Sequence, residues 1–296
     1  MLIKDIKDLK AVNSQAVIIN VGTKLVTTLA LMSVLKYAEM NVLVIDCESK
    51  DGSMDYFFKL MEKHDFDVLS VPLRKHGYML DWLFMNISAE KVLLIDSDVE
   101  ILCSEIITTM KDVLYYDKVF GAGFVHGPEW LDDRHGAGYQ VGYYQERMWI
   151  PLTFLKTFLV REAIEKGYSF ADHIIYNDFA PSQFISKILQ KRFRFKYFKN
   201  SQLSLLNPFK QSFYGLKPCY VLCDTGADIF QYLRYKRGYD YVGFPATILH
   251  RKYAEHYHGV TRLLLNPSDS NGAILNDIIT VVKKNLKEKY GIEENI

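Results

Sequence analysis

Four cysteines in 296 residues are too few and too scattered for a disulfide scaffold. Cys47 and Cys103 stand alone, and Cys219 and Cys223 share an apolar run, Cys-Tyr-Val-Leu-Cys, with no second cysteine pair to complete a zinc site. Free cysteine behaves as a small hydrophobe, so buried thiols and a reducing, cytoplasmic compartment are expected. Net charge is also scarce, at +1, which excludes an overall field drawing the chain to nucleic acid or an acidic membrane. No apolar run reaches bilayer-spanning length. The first ten residues mix charged and apolar side chains, unlike the apolar core of a secretory signal. Repeats and low-complexity tracts are missing too. Apolar content is not lacking: 49% of the residues are hydrophobic and 24% charged, which suits a packed core.

The first hundred residues alternate two patterns. Short β-branched runs at 16–20, 41–46, 67–72 and 91–96 read as strands, and helical spacing links them over 25–37, 54–64 and 78–87. Continuous apolar strands separated by helices predict an α/β fold with a mostly parallel sheet covered on both faces. Ligands of such sheets sit beyond the carboxyl ends of the strands, which would gather residues 20–24, 46–53, 74–77 and 96–98 around one crevice. From Phe120 to about Tyr220 the sequence is irregular and rich in aromatics, glycine and histidine. It predicts loops, helices and antiparallel strands over that crevice. After the loop 266–272, Ile274, Leu275, Ile278, Ile279, Val282 and Leu286 recur at helical spacing and predict a C-terminal helix. It can pack on the domain or on a second subunit; contact with a membrane surface is the lesser alternative.

The central chemical signal is Val92-Leu-Leu-Ile-Asp96-Ser97-Asp98. In an extended segment residues two apart point to the same side, so Asp96 and Asp98 can converge on one object. Paired carboxylates at a strand end suit a hard divalent cation, Mg²⁺ or Mn²⁺, and such a cation would neutralise a diphosphate leaving group. The competing reading is a solvated loop. Further on, Cys223-Asp224-Thr-Gly-Ala-Asp228 precedes a helix. Asp224 can serve as a general base or as a helix N-cap, and the roles are compatible. Asp178 is the rival base, and Asp172 a weaker one. Near the C-terminus, His256 and His258 share a face if extended, with Lys252 and Arg262 close by as phosphate ligands. His258 is the preferred metal ligand and His256 the alternative.

Taken in order, Ile45-Asp46-Cys-Glu-Ser49-Lys-Asp51-Gly52-Ser53, then Ile95-Asp96-Ser97-Asp98, then the 223–238 stretch ending in Arg234 and Gly238, resemble the inverting glycosyltransferase family 2. Its fold is the Rossmann-like nucleotide-diphospho-sugar fold called GT-A. Cys47 and Glu48 stand where that family has Asp-Gly, and Gly22-Thr23 where Tyr-Asn is common. The resemblance implies a metal-dependent transferase moving a sugar from a nucleotide diphosphate, with uracil as the implied base, to an acceptor hydroxyl on a glycan or lipid-linked acceptor. It implies that Asp46 meets the nucleobase, Asp98 the metal and Asp96 the metal and donor. Asn20, Ser49, Arg74, His76, Lys252 and Arg262 complete the donor site, with Asp81 nearby. Asp224 maps onto the family's base. Many GT-A enzymes also place a C-terminal histidine on the metal or diphosphate. Residues 1–265 would form the transferase domain (a nucleotide-binding half 1–110 and an acceptor half 111–265), and 266–296 a helical extension.

Two alternatives remain. A sugar-nucleotide pyrophosphorylase would need a glycine-rich basic loop after the first strand, for which Asn20-Val-Gly-Thr-Lys24 is too poor in glycine. A non-catalytic homologue would have little use for the Asp96/Asp98 pair. The alternating basic and aromatic residues of 191–197 fit a half-buried strand better than a nucleic-acid surface, given the low net charge. Trp130 can stack on a sugar or sit in the core, and the aromatic stretch 143–158 can do either.

Overall fold

The computed structural model describes residues 2–126, 129–132, 141–180, 217–244, 252–257, 260, 264 and 272–292. Its elements run β1 (Leu2–Ile3), β2 (Ser14–Asn20), α1 (Lys24–Tyr37), β3 (Asn41–Asp46), α2 (Ser53–Met61), β4 (Asp67–Ser70), α3 (His76–Asn86), β5 (Lys91–Ile95), β6 (Val99–Ile101) and α4 (Ser104–Val113). There follow β7 (Val119–His126), β8 (Glu129–Asp132), β9 (Val141–Tyr144), β10 (Arg147–Lys156), α5 (Thr157–Glu165), β11 (His173–Ala180) and β12 (Lys217–Cys223). The last elements are α6 (Ala227–Gln231), β13 (Asp240–Phe244), β14 (Ala254–His256) and α7 (Gly272–Tyr290).

Eight strands form the main sheet in the order β1-β4-β3-β2-β5-β10-β7-β13. The pairings from β1 through β5 are parallel, as the continuous apolar runs predict. The strand period of two sorts their side chains between two cores. Val17, Leu43, Ile45, Val92 and Leu94 pack with α3 and α5 on one face. Ala16, Ile18, Val42, Val44, Leu93 and Ile95 pack with α1, α2 and α4 on the other. The fold class is therefore α/β, with a mostly parallel sheet covered on both sides.

The irregular middle of the sequence contains a strand that periodicity does not reveal. β10 lies antiparallel to β5 on one side and to β7 on the other, so the sheet is mixed rather than uniformly parallel. Its register against β7 shifts between Trp149 and Thr153. Such a bulge bends a strand and re-aims its side chains. Four further strands make a second sheet, β11-β12-β9-β8, and β14 pairs antiparallel with β6.

The C-terminal stripe closes intramolecularly. Val282 and Leu286 of α7 are buried against Val26, Leu29 and Met32 of α1. Among the described residues no helix is long and apolar enough to cross a membrane. The 191–197 stretch lies outside the described residues, as do the side chain of Trp130 and the loop before α7.

Candidate functional site

The loops after β2, β3, β4 and β5 do meet, at a cleft of about 960 Å³. Asp96 and Asp98 line it, but not by the extended alternation expected from sequence. The Val99 N–H donates to the Asp96 carbonyl at 3.1 Å, closing a turn, while the Asp96 N–H donates across to the Pro151 carbonyl of β10 at 3.0 Å. The turn, pinned from the neighbouring strand, brings the two carboxylates together. Burial pushes the Asp96 carboxyl above its ordinary value and the Asp98 charge adds to this, whereas His76 and His256 pull it back.

His256 completes the cluster. Its Nε2 lies 3.2 Å from Asp98 Oδ1, and one ligand atom from each of Asp96, Asp98 and His256 falls within 4.8 Å of the others. Two carboxylate oxygens and an imidazole nitrogen are a donor set that Mn²⁺ or Mg²⁺ accepts, and a cation there would offset the crowding of negative charge at Asp96. His256 arrives through the pairing of β14 with β6, which sets it opposite Val99. The Tyr257 N–H then donates to the Asp98 carbonyl at 2.9 Å.

A fully buried carboxylate holds this arrangement from behind. Glu100 accepts hydrogen bonds from Tyr257 Oη (2.8 Å), Asn285 Nδ2 (3.0 Å), Lys289 Nζ (2.8 Å) and Tyr290 Oη (3.0 Å). Three of those donors belong to α7, and Asn285 also bonds Tyr257 at 2.9 Å. The C-terminal helix is thereby tied to a residue two beyond Asp98 and to the residue after His256. A buried charge held by this many donors is strongly oriented.

The facing wall comes from β10 and the end of β12. Arg147 Nε lies 3.0 Å from Asp224 Oδ2, and Asp224 Oδ1 accepts from the Thr225 N–H at 2.8 Å. Arg147, Asp224, Trp149 and Asp172 all line the cleft. The Trp149 ring meets His256 edge-on, with centroids 5.1 Å apart. Phe154, five residues along the same strand, is wholly buried, so the aromatic stretch supplies both core and cleft.

The remaining sequence candidates divide. Arg74 and His76 line the cleft, with the Arg74 guanidinium 5.0 Å above the Trp82 ring. Asn20 and Asp46 are fully buried under it. Asn20 Nδ2 donates to Asp46 Oδ1 at 2.6 Å, and the Ser49 N–H donates to Asp46 Oδ2 at 3.0 Å. Ser49 Oγ accepts in turn from Gly22 N–H at 2.8 Å. These three residues fasten the loops after β2 and β3 to each other. Asp81 faces the Ser169 hydroxyl and accepts from Phe170 N–H at 2.8 Å, which docks the 169–172 segment onto α3. Lys252 sits at the surface, donating to Tyr253 Oη at 2.6 Å, and is not among the cleft-lining residues. His258, Arg262 and the Asp178 side chain lie outside the described residues.

Sequence reasoning missed Arg147 and a second cluster, His173 with Cys223 and Asp228, whereas Trp149 falls in the 143–158 stretch read as either site or core. Nothing in the spacing of Arg147 marks it, because only the β10 pairing brings it to Asp224. The tie of Asp228 to Cys223 had a local signal, since both flank the Asp224 stretch; the link to His173 had none.

No protein-family profile matches the chain, and no curated protein does. Solved structures do resemble it. The mannosyltransferase PcManGT from Pyrobaculum calidifontis, in complex with GDP-Man and Mn²⁺, is 12% identical at a TM-score of 0.45, over 95% of this chain and 72% of that one. S. aureus TarS 1–349 in complex with UDP-GlcNAc is 14% identical at 0.38, over 93% and 73%. A 4-diphosphocytidyl-2C-methyl-D-erythritol synthase from Anaerococcus prevotii is 15% identical at 0.38, over 66% and 82%. At these scores the chemistry has to be read from the cleft itself.

Proposed function

We propose that this protein is a glycosyltransferase that binds a nucleoside-diphosphate sugar in the cleft and transfers the sugar to an acceptor hydroxyl with inversion. The observation that carries the reading is the meeting of Asp96, Asp98 and His256 at the carboxyl end of β5. In a mostly parallel sheet this is where a ligand is received, and its donor set suits a divalent cation.

Asp96, Asp98 and His256 would hold Mn²⁺ or Mg²⁺, which when bound supplies positive charge against the leaving diphosphate. His258, the preferred metal ligand from sequence, and Arg262 belong to this proposal as residues that follow β14 in sequence, with Lys252 two residues before it. The remaining work falls to the chain. Asn20, Asp46 and Ser49 shape the pocket for the nucleoside by fixing the two loops, and Arg74 and His76 face the donor. Trp149 offers an aromatic wall against which a sugar ring can stack.

Asp224 lines the same cleft and accepts the proton of the attacking hydroxyl. The new bond joins the acceptor oxygen to the anomeric carbon as the bond to the diphosphate oxygen breaks, through a transition state with oxocarbenium character. The proton resides on Asp224 until solvent removes it. Arg147 keeps that carboxylate aimed. Asp224 rather than Asp178 is named because it borders the cleft.

The test uses the purified chain, a panel of UDP- and GDP-sugars, and Mn²⁺. A matching donor should raise the melting temperature only with the cation present. Asp98→Ala should lower metal-dependent donor turnover by at least about 10³-fold, corresponding to the several kcal/mol that charge neutralisation contributes. Turnover that survives this substitution, or that ignores removal of divalent cations, would sink the proposal.

A further inference from the structure

We propose that His173, Cys223 and Asp228 form a second metal site, selective for Zn²⁺ and separate from the Asp96/Asp98 cluster. The three residues come from different elements. His173 opens β11, Cys223 closes β12 directly opposite it in the strand register, and Asp228 lies in the first turn of α6. One ligand atom of each, imidazole nitrogen, thiol sulfur and carboxylate oxygen, lies within 4.8 Å of the other two.

Three features of the cluster fit a shared ion. The Asp228 side chain is three-quarters buried, at 25% exposure, yet its one close partner among the described residues is His173 Nε2 at 3.9 Å. That is too long for a hydrogen bond. The distance is near the separation of two ligands on one tetrahedral ion, roughly 3.4 Å for Zn–N and Zn–O bonds of ordinary length. Second, the Cys223 thiol is buried beside that carboxylate and directly opposite His173 in the strand register, with no disulfide partner among the described residues. Third, His173 Nδ1 faces the Ala171 carbonyl at 3.5 Å, the outer contact that leaves Nε2 directed at Asp228.

The ligand types set the metal. A thiolate with an imidazole favours Zn²⁺ over Mn²⁺ or Mg²⁺, whereas the Asp96/Asp98/His256 set is harder. Binding is balanced: a Zn–S bond forms, and the thiol proton passes to solvent, one per ion. The His173 side chain is 41% exposed, which gives the ion an entry side, and three protein ligands leave a fourth position for water. Once bound, the ion would clamp the ends of β11 and β12 to α6, next to Asp224.

Cobalt is the probe, because a thiolate–Co²⁺ bond gives a near-ultraviolet charge-transfer band and an oxygen–nitrogen site does not. Titrating the metal-free protein with Co²⁺ should produce that band, saturating at one equivalent. Zn²⁺ should bleach it and Mn²⁺ should leave it. The band should vanish in Cys223→Ser and persist in Asp98→Ala, so this result stands apart from the fate of the transferase reading. His173→Ala, altering a half-exposed side chain, should weaken Co²⁺ binding by at least about tenfold if Cys223→Ser fails to fold. No band in the wild-type protein, a band unaffected by Cys223→Ser, or full Co²⁺ affinity in His173→Ala would overturn the proposal.

Discussion

The two walls of the cleft reach their positions by different routes. The first is made of loops after β2 to β5, each fixed by the strand it follows, with short bonds tying β2 to β3 where their loops begin, such as Asn20 to Asp46 at 2.6 Å. The second is assembled from residues far along the chain: Arg147 and Trp149 on β10, Asp224 after β12, and His256 on β14. Its geometry depends on pairings between strands that are not sequence neighbours, and on the Glu100 carboxylate that ties α7 to Tyr257. The first wall thus inherits its shape from a repeating pattern, and the second from single contacts. Substitutions in the second wall should therefore separate functions that substitutions in the first remove together.

The sharpest break between the walls is Asp224→Asn. Loss of the proton acceptor should cut transfer by about 10²- to 10⁴-fold, the usual contribution of a positioned acid or base. Metal-dependent binding of the donor, measured by calorimetry or thermal shift, should stay close to wild type, because Asp224 is not among the residues that would hold the cation. A variant that loses donor binding as well would assign Asp224 to holding Arg147 in place. Asp98→Ala, by contrast, should remove both properties at once.

A smaller effect is expected at Glu100, where the second wall is latched. Glu100→Gln keeps the shape but removes the charge that Lys289 Nζ meets at 2.8 Å. Breaking a buried ion pair costs about 3 kcal/mol or more, here at the low end because Lys289 is partly exposed. The melting temperature should fall by several degrees. Mn²⁺ affinity should fall by about tenfold, since Tyr257 and Glu100 support His256 and Asp98 from outside the ligand set. Unchanged Mn²⁺ affinity in a destabilised variant would show α7 to be a packing element with no influence on the site.

What was legible in the sequence follows the same division. Strand β3 ends at Asp46 and β5 just before Asp96, where the apolar runs stop, because a strand buried on both faces must be apolar throughout. The crevice followed from topology alone. The approach of Asp96 to Asp98 was anticipated for a different reason from the one found: a turn closed by Val99, not an extended alternation. Cys223 read as an inert buried thiol because His173 is joined to it by a strand register that periodicity cannot reveal, although Asp228 lies only five residues further along the chain. Asp46 read as a ligand residue, yet it is wholly buried with both oxygens engaged, since a strand-end aspartate can as readily fasten a loop as meet a base.

The mildest test concerns the seam where the walls touch. Gly77, in the first turn of α3, lies so close to the 170–171 backbone that an added Cβ would fall 2.4 Å from Ala171 Cα and 2.6 Å from the Phe170 carbonyl oxygen. Both obstacles are main chain, so no side-chain rotation relieves them. Asp81 bonds the same segment through Phe170 N–H, which resists a compensating shift. Gly77→Ala should therefore cost about 1–3 kcal/mol, the range for an overpacked contact. The displaced segment carries Asp172 and leads into His173, on the second wall, while His76 beside the substitution belongs to the first. If the walls are independent, donor affinity should hold within about twofold, at the edge of what a 0.4 kcal/mol change gives, while the rate of transfer falls further. Equal losses in both would mean that α3 transmits the strain to Arg74 and His76, and that the seam, rather than either wall, fixes the width of the cleft.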